Sequence, residues 1–288
     1  MRQSEPNEQL SLSHVTENAT SMSSISLRSA SLTQLFLKDL AIIPQFQLAE
    51  PTKFVFGSTL APWPNRLEDG SYSHAGKQHR FSELDAQNNK NHGLVLDRDF
   101  EIRQQSNDSI ALGYRFGLDN AYPFDVDLEI RYQLGEELLV EAIATNHGDA
   151  APFAIGFHPY FLTGPEFQLN AGFTHRGVSD ERMLPIAIDP IPGLDLNQDS
   201  VELETLDHCF MGSKEVRLMR PEGGFSIKTL ENLPYFMLYR PKEKFFESGG
   251  AIAIEPMSAP ANIFRNDIAS VILEKGEQKR YAFEVRKL

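Results

Sequence analysis

The sequence is poor in cysteine and in basic residues. Its 288 residues include one cysteine, Cys209, so no internal disulfide can form and no zinc site can be built from cysteine thiolates. We expect Cys209 to be a small, half-buried residue. Lysine and arginine number 27 against 40 acidic residues, a net charge of −13. This balance argues against nucleic acid and anionic membranes as partners, whereas a neutral small molecule is compatible with it.

Long apolar stretches are also absent. No segment approaches the roughly 20 apolar residues that a membrane span needs, and the polar N-terminus lacks the apolar run of a signal peptide. We therefore expect a cytoplasmic protein. Residues 1–24 are rich in Ser, Asn and Glu, and we predict a disordered arm; deletion of residues 1 to about 22 should leave stability unchanged. The alternative is that Leu10, Leu12 and Val15 alternate as an opening strand, in which case truncation would expose a sheet edge. Residues 25–288 are predicted to form one domain, since no linker or repeat interrupts them.

From Ile25 onward the apolar residues recur mainly with a period of two. The clearest run is Asp125–Leu134, where apolar and polar residues alternate as in a strand with one buried face. A turn at residues 135–137 leads into Leu138–Ile143 and predicts a hairpin. A second hairpin is predicted between Val271–Leu273 and Tyr281–Val285. Many short strands without alternating helices indicate an all-β antiparallel sandwich or barrel; residues 31–40 fit a short helix or a strand.

Two segments place a titratable residue just before a proline. In residues 153–159 the alternation puts His158 on a face shared with Ala154 and Gly156, and Pro159 is expected to end the strand. Residues 251–256 repeat the layout, with Glu255 on the face of the two alanines and Pro256 following. Small neighbours leave room beside each group. A structural role for either residue is an equal alternative on spacing alone.

A third segment, residues 60–66, carries Trp63 and Asn65 and ends in Arg66. Its prolines stiffen the backbone around Arg66, whose guanidinium could hold two sugar hydroxyls. A surface ion pair is the alternative. His92 lies on a turn with Gly93, and Asp207 lies in a segment that could equally be a turn or a helix cap.

These segments together resemble the aldose 1-epimerase (galactose mutarotase) family. The segments that match, in order along the chain, are GSTLAPWPNRLEDG (57–70), NHGL (91–94), YPF (122–124) before the long alternating strand, GFHPYF (156–161), LDHCF (206–210) and IEPMSAPAN (254–262). The region before residue 51 lacks the glycine-rich opening strands of the family, and no second glycine follows Gly93. These two departures put the first strands and the preferred sugar in doubt more than the chemistry.

The resemblance implies a galactose-mutarotase-like antiparallel β-sandwich and an isomerase that interconverts the α and β anomers of a free aldose such as glucose or galactose. It implies Glu255 as general base and His158 as general acid, with the sugar held by residues Trp63, Asn65, Arg66, His92 and Asp207. We expect Arg66 to keep Glu255 ionised and His158 to titrate near neutrality. No cofactor or metal is expected, and the protein is expected to be a monomer or a homodimer.

Two other functions remain open. A hexose-6-phosphate 1-epimerase on the same sandwich would need a basic subsite for the phosphate, for which Arg98, Arg115 and Arg240 are candidates that do not cluster in sequence. A non-catalytic carbohydrate-binding protein would keep Trp63 and Arg66 as a platform but would not need a His and a Glu poised together.

Overall fold

The computed structural model describes residues 9–45, 55–117, 119–242, 246–247 and 249–288. Its strands in the first part of the chain are β1 Gln9–Val15, β2 Thr20–Ser26, β3 Ser31–Leu37, β4 Leu40–Ile43, β5 Thr59–Leu60, β6 Arg66–Glu68, β7 Ser71–His74, β8 Lys77–Arg80, β9 Asn89–Asn91, β10 Glu101–Gln105, β11 Ser109–Arg115, β12 Val126–Leu134, β13 Glu137–Asn146 and β14 Ala151–Pro152.

The strands of the second part are β15 Gly156–Phe157, β16 Tyr160–Gly164, β17 Gln168–Ala171, β18 His175–Ser179, β19 Pro185–Pro190, β20 Leu194–Asn197, β21 Asp207–Met211, β22 Glu215–Met219, β23 Phe225–Glu231, β24 Tyr235–Tyr239, β25 Gly250–Met257, β26 Ile272–Leu273 and β27 Gln278–Lys287. Helical structure in the described residues is short: α1 Ile263–Asn266 and the 3₁₀ turns Val201–Thr205 and Ile268–Val271. None of it is long and apolar enough to cross a membrane.

Two large antiparallel sheets form the body of the fold. One has the order β10-β11-β12-β13-β27-β23-β22-β17-β20; the other has β19-β18-β21-β24-β25-β15-β5, with β16 also pairing β25. Aromatic side chains join the sheets, with ring centroids 5.0 Å apart for Phe157 and Phe283 and 5.3 Å apart for Phe161 and Phe225. This is the predicted antiparallel β-sandwich. A single apolar core runs from Leu10 to Val285.

The alternating pattern around residue 130 has a direct structural cause. Every second residue of β12 is buried, and β12 pairs with β13 in unbroken register from Val126 opposite Asn146 to Leu134 opposite Leu138. One face of the strand lies on the core and the other meets water, which is why the period of two was legible. The hairpin predicted here is confirmed, and residues 31–40 form β3 and the start of β4 rather than a helix.

The predicted disordered arm is wrong for the described part of it. Residues 9–15 and 20–26 pair as the hairpin β1–β2, which forms the first half of a four-stranded sheet with the order β1-β2-β3-β4. Leu10 and Leu12 are buried, whereas Val15 is exposed. Serine is small enough to share a buried face, and the backbone hydrogen bonds of the sheet offset the cost of ordering the chain. Polar composition alone therefore misrepresents this segment; residues 1–8 lie outside the described residues.

Three other local predictions are also corrected. The C-terminal hairpin does not form, because β26 pairs with β14 while β27 lies between β13 and β23. Residues 153–155 are not in a strand; only Gly156 and Phe157 are. Pro256 does not end its strand, since β25 continues to Met257. The C-terminal hairpin fails because β26 and β27 find their partners far away in the sequence. The other two differences arise because β15 and β16, which pair with β25, are separated by a break.

Replacing Leu12 with alanine should lower the free energy of unfolding by about 2–5 kcal/mol, because it leaves a cavity under the N-terminal sheet. Chemical denaturation measures this change. Val15→Ala on the same strand is the control and should change stability by no more than about 0.5 kcal/mol, because Val15 is 71% exposed. Equal, small effects of the two substitutions would mean that β1 contributes nothing to the fold.

Candidate active site

His158 and Glu255 meet inside the sandwich. The Nε2 atom of His158 lies 3.3 Å from Oε1 of Glu255, and the two side chains are 6% and 1% exposed. The backbone of His158 is fixed on both sides, since its N–H donates to the carbonyl of Ser58 and its own carbonyl accepts from the N–H of Gly57, each at 2.9 Å. The matched layout seen in the sequence therefore does bring this imidazole and this carboxyl together.

A break in the sheet makes this meeting possible. Gly156 pairs with Met257 and Tyr160 pairs with Ala253, so residues 157–159 lie opposite residues 254–256 without continuous strand pairing. A proline is tolerated in β25 here because its missing N–H faces the interruption. Contrary to the expectation from its size, Gly156 does not leave an open space beside His158. It allows close packing instead, because a Cβ there would lie 2.9 Å from Cβ of Pro64.

Arg66 begins β6 and lies beside the buried pair. The amide oxygen of Asn65 accepts hydrogen bonds from the Arg66 backbone N–H at 2.8 Å and from its Nη1 at 3.2 Å. Asn65 has a φ of 57°, which asparagine tolerates better than most residues. Asn65 thus orients the guanidinium. Arg66 forms no ion pair among the described residues, and its charge acts on the pKa values of His92, Asp207 and Glu255.

His92 lies in the same cluster, next to His158. Its ring centroid lies 5.5 Å from that of His158, and its backbone N–H donates to the carbonyl of Asn65 at 2.8 Å. The turn needs glycine at position 93, where φ is 74° and a Cβ would lie 2.1 Å from the Ala61 carbonyl oxygen. Burial, followed by the charges of His158 and Arg66, lowers the pKa of His92 well below its usual value, so its ring is neutral.

Burial also governs the protonation of the central pair. It lowers the pKa of His158 to about 4, and it raises the pKa of Glu255 well above its usual value, an effect that Asp207 strengthens and Arg66 opposes. The expectation that Arg66 keeps Glu255 ionised and that His158 titrates near neutrality is therefore wrong. Arg66 acts in the expected direction, but the loss of hydration is larger. Burial thus disfavours the charged form of both groups of the pair.

Asp207 lies two strands away from Glu255 in the same sheet. It begins β21 and pairs with Tyr239, which in turn pairs with Ala253 two residues from Glu255. Burial raises the pKa of Asp207, while the charge of Arg66 lowers it. Two carboxyl groups that share one cation and little water cannot both ionise freely. The structure thus brings together Arg66, His92, His158, Asp207 and Glu255, with Asn65 supporting Arg66.

Trp63 is not part of this cluster. It is buried, its ring packs against Phe81 and Phe264 at centroid distances of 5.1 and 5.5 Å, and its indole N–H donates to the carbonyl of Lys90. The structure therefore gives Trp63 a packing role and leaves the prediction of sugar contact without support. Its neighbours in sequence reach the site because the chain turns at Pro64 and Asn65.

Several buried polar atoms of the cluster have no partner among the described residues. They belong to four side chains that face one another: Nε of Arg66, Nδ1 of His92, Nδ1 of His158 and Oε2 of Glu255. A buried polar group without a hydrogen bond is costly, and such groups rarely gather in one place without a ligand. Donors and acceptors so arranged suit a small molecule rich in hydroxyl groups. The described residues contain no group of three side chains able to hold a metal ion.

A cavity of about 460 Å³ opens beside Arg66 and Asn65. Its floor includes Met237, which pairs with Glu255, and Cys209, which pairs with Met237. Sequence analysis did not single out Met237, since no local pattern shows which residue of β24 lies beside Glu255. A larger cavity of about 610 Å³ lies on the other side of Tyr235 and touches none of the site residues named above.

Two of the three arginines considered for a phosphate subsite are engaged by carboxylates away from the cavity. Arg115 donates two hydrogen bonds to Asp125, at 2.7 and 2.8 Å, and Arg98 lies 3.5 Å from Asp97. Neither lines the cavity beside Arg66. Arg240 directly follows β24, and its backbone N–H donates to the carbonyl of Leu206.

Comparison with known proteins identifies the family of this chain. Residues 13–286 match the profile of the family described as aldose 1-epimerase. The chain belongs to the aldose 1-epimerase family. The match begins inside β1, so the N-terminal sheet is part of the family domain.

Relatives and solved structures extend the likeness along the chain. The Escherichia coli K12 protein YihR is 30% identical over 246 residues, covering 80% of this chain and 78% of its own; YphB of the same organism is 25% identical over 242 residues, covering 79% and 82%. A GalM/aldose epimerase homologue from C. elegans superposes with a TM-score of 0.82 at 17% identity, and galactose 1-epimerase from Lactobacillus acidophilus with 0.75 at 17%. Both alignments cover 98% of this chain and 99% of the other. At this identity the structures establish the shared sandwich fold.

The raised pKa of Glu255 predicts how pH affects stability in this aldose epimerase family member. The native state holds a proton that the unfolded chain releases above a pKa near 4.5. Stability from this carboxyl is therefore present below that pH and is lost as pH rises toward the folded-state pKa. Glu255→Gln cannot ionise, so its melting temperature relative to wild type should rise by at least ~2 °C between pH 4.5 and pH 8.

Thermal unfolding at both pH values measures this difference. Glu83→Gln is the control, because the Glu83 side chain is 90% exposed and should show no such trend. A temperature gap between Glu255→Gln and wild type that stays constant from pH 4.5 to pH 8 would show that Glu255 is ionised in the native state.

Proposed function

We propose that the protein is an aldose 1-epimerase that interconverts the α and β anomers of a free aldose. The observation that supports this most directly is the buried 3.3 Å contact between His158 and Glu255, surrounded by unpartnered polar atoms of Arg66 and His92. Opening a cyclic hemiacetal needs one group to take a proton and another to give one, close to the same carbon atom. An imidazole and a carboxyl that share one proton can do both.

In the reactive form the shared proton lies on Nε2 of His158 and Glu255 is a carboxylate. Glu255 takes the proton of the anomeric hydroxyl, the bond between C1 and the ring oxygen breaks, and a C1 carbonyl forms. His158 gives its proton to the departing ring oxygen. After rotation about the bond between C1 and C2, the steps reverse on the other face. The pair again carries one proton at the end, so no proton needs to come from solvent.

Arg66 has two roles in this scheme. Its positive charge opposes the burial that raises the pKa of Glu255, so it favours the carboxylate that the first step requires. Its planar guanidinium, oriented by Asn65, can donate two parallel hydrogen bonds to sugar oxygens. Asp207 and His92 lie at opposite sides of the same space and supply an acceptor and a neutral ring for further hydroxyls.

Replacing Glu255 with glutamine should lower the turnover number for mutarotation at least about 100-fold, because an amide cannot accept the proton. His158→Asn should have a similar effect on turnover and little effect on the Michaelis constant. Polarimetry with freshly dissolved α-glucose and α-galactose, corrected for the spontaneous reaction, measures both. Glu83→Gln is the matched control with wild-type rates expected.

Two outcomes would contradict the scheme. Near wild-type turnover in Glu255→Gln would remove this carboxyl from the mechanism. If wild type binds aldoses by calorimetry yet does not accelerate mutarotation of any of them, the protein is a carbohydrate-binding protein rather than an enzyme.

Arg66→Lys should raise the Michaelis constant about tenfold or more although the positive charge remains, since an ammonium group cannot reproduce the two-pronged contact. The same polarimetric assay measures this. Arg98→Lys is the control, because the Arg98 side chain is 57% exposed and its ion-pair partner among the described residues is Asp97. An unchanged Michaelis constant in Arg66→Lys would mean that Arg66 does not touch the sugar.

A further inference from the structure

The cavity beside Arg66 is apolar over most of its surface. We call it the apolar cleft and define it by Met183, Ile186, Ile188, Cys209, Met211 and Met237. Asn65 and Arg66 form one end of it. Its volume of about 460 Å³ lies in the range of about 300–1,000 Å³ that is usual for small-molecule sites. A space of this size suits part of a ligand rather than another protein chain.

Strand register connects the apolar cleft to the catalytic pair. Glu255 pairs with Met237, and Met237 pairs with Cys209. Gly177 lies beside Cys209, since a Cβ on that glycine would be 3.6 Å from the Cys209 Cβ, and Gly177 pairs with Ile188. Directly paired residues point to the same face of a sheet.

These residues therefore form one row that runs across five strands from Glu255. Neighbouring strands are about 4.8 Å apart, so the row extends roughly 19 Å from the strand of Glu255 to the strand of Ile188. Met237 is one strand away from Glu255 and Ile188 is four. The apolar face thus begins next to Glu255 and continues over a length greater than that of a single sugar ring.

Two isoleucines at the far end are open to solvent. Ile186 and Ile188 are 65% and 61% exposed, and both line the apolar cleft. Single exposed apolar residues are ordinary, but two that share one face of β19 and continue a floor of methionines form a patch. His158 and Glu255 do not line the apolar cleft, but Arg66 and Met237 do, and Met237 pairs with Glu255. A ligand bound at Arg66 that extends along the floor would therefore cover the patch.

The wall that carries these isoleucines is anchored next to Arg66. Arg182, in the turn between β18 and β19, donates to Asp69 at 2.8 Å and lies 3.5 Å from Glu68. Glu68 ends β6, the strand that Arg66 begins. Arg182 also donates to the Asn89 side chain at 3.2 Å. These contacts hold the hairpin at a fixed distance from the sugar-binding arginine, so the cleft is formed before a ligand arrives.

Charge narrows the chemistry of the ligand. Of the residues that line the cavity, Arg66 is the single one that carries a charge, and its place is at the end next to the catalytic pair. Cys209 stays a neutral thiol, since burial and the charge of Glu255 raise its pKa to about 12. An ionic group such as phosphate would find no counter-charge along the methionines and isoleucines.

We propose that the preferred substrate is an aldose that carries an uncharged apolar substituent, an alkyl, acyl or aryl group of several carbons, which lies along the apolar cleft. This inference rests on the proposed epimerase function and adds the substrate class. The anomeric carbon lies at His158 and Glu255, the hydroxyls bind Arg66 and its neighbours, and the substituent covers Met237, Cys209 and the two isoleucines.

Mutarotation of galactose and glucose should be compared with that of their mono-O-butyl ethers at O3, O4 and O6, using the full chain and polarimetry. At least one ether should have a Michaelis constant ten or more times lower than its parent sugar, because its alkyl carbons leave water. Michaelis constants of all ethers equal to or above those of the parents would overturn the proposal while leaving the proposed epimerase function intact.

Ile188→Ser locates the effect. It should lower the ratio of kcat/KM for the preferred ether to that for the parent sugar at least fivefold, and Ile186→Ser should act in the same direction. Ile102→Ser is the matched control, an isoleucine on the edge strand of the other sheet that is 43% exposed; its ratio should equal that of wild type. An unchanged ratio in both cleft variants would overturn the proposal.

Two further readings separate the remaining explanations. If size-exclusion chromatography shows that Ile188→Ser turns a dimer into a monomer without changing the ether preference, the patch is a contact between copies and the proposal is wrong. If neither parent sugars nor ethers are turned over, the proposed epimerase function fails. Calorimetry then decides the ligand class: tighter binding of an ether, lost in Ile188→Ser, supports the apolar subsite, and equal binding refutes it.

Discussion

The contact between His158 and Glu255 depends on a gap in the sheet that would otherwise separate them. Strand β25 has a continuous partner in β24 on one side, while on the other side its partner is interrupted between Phe157 and Tyr160. A fully paired strand would hold the backbone of residue 158 in line with the ladder. The interruption instead lets the imidazole turn toward the carboxyl at 3.3 Å. Pro159 and Pro256 lack a backbone N–H, so neither could have donated a hydrogen bond across this gap.

Burial at this gap then sets the chemistry. A carboxyl and an imidazole in water would both be charged over part of the pH range near 5, but exclusion of water disfavours the charged form of each. The result is a histidine pKa of about 4 and a glutamate pKa raised well above its usual value. Arg66 opposes this effect of burial, since its charge is the principal influence that favours the Glu255 carboxylate. Asn65 orients Arg66 by accepting two of its hydrogen bonds, and the carbonyl of Asn65 also holds the backbone of His92.

The floor of the site has two parts of different character. Toward Asp207 and Tyr239 it is polar and aromatic, and toward Cys209 and Met237 it is apolar. Both parts lie on the same strands, two residues apart, and therefore on the same face. One sheet can thus bind hydroxyl groups and apolar carbons side by side. The ion pairs of Arg182 tie the wall of the apolar part to β6, so the two parts keep a constant geometry.

Some of this architecture was accessible from single segments. The alternation of β12 identified a half-buried strand because burial on one face has the same period as the pleat. The His158 and Glu255 motifs, in order with those of Arg66 and Asp207, indicated the sandwich and the site. The N-terminal strands were missed because serine is compatible with both a disordered chain and a buried strand face, as at Ser21 and Ser23. Composition cannot distinguish the two without the partner strand.

The sequence by itself thus determined the strand-forming segments and the chemical groups of the site. Tertiary structure decided which strands are neighbours, so that β27 lies between β13 and β23 rather than beside β26. The same strand order places Met237 and Cys209 in a row with Glu255. Tertiary packing also places Trp63 in the core. It also decided the direction in which the pKa values of His158 and Glu255 shift. Register and desolvation arise from residues far apart in the chain, so neither is encoded in the spacing of any one segment.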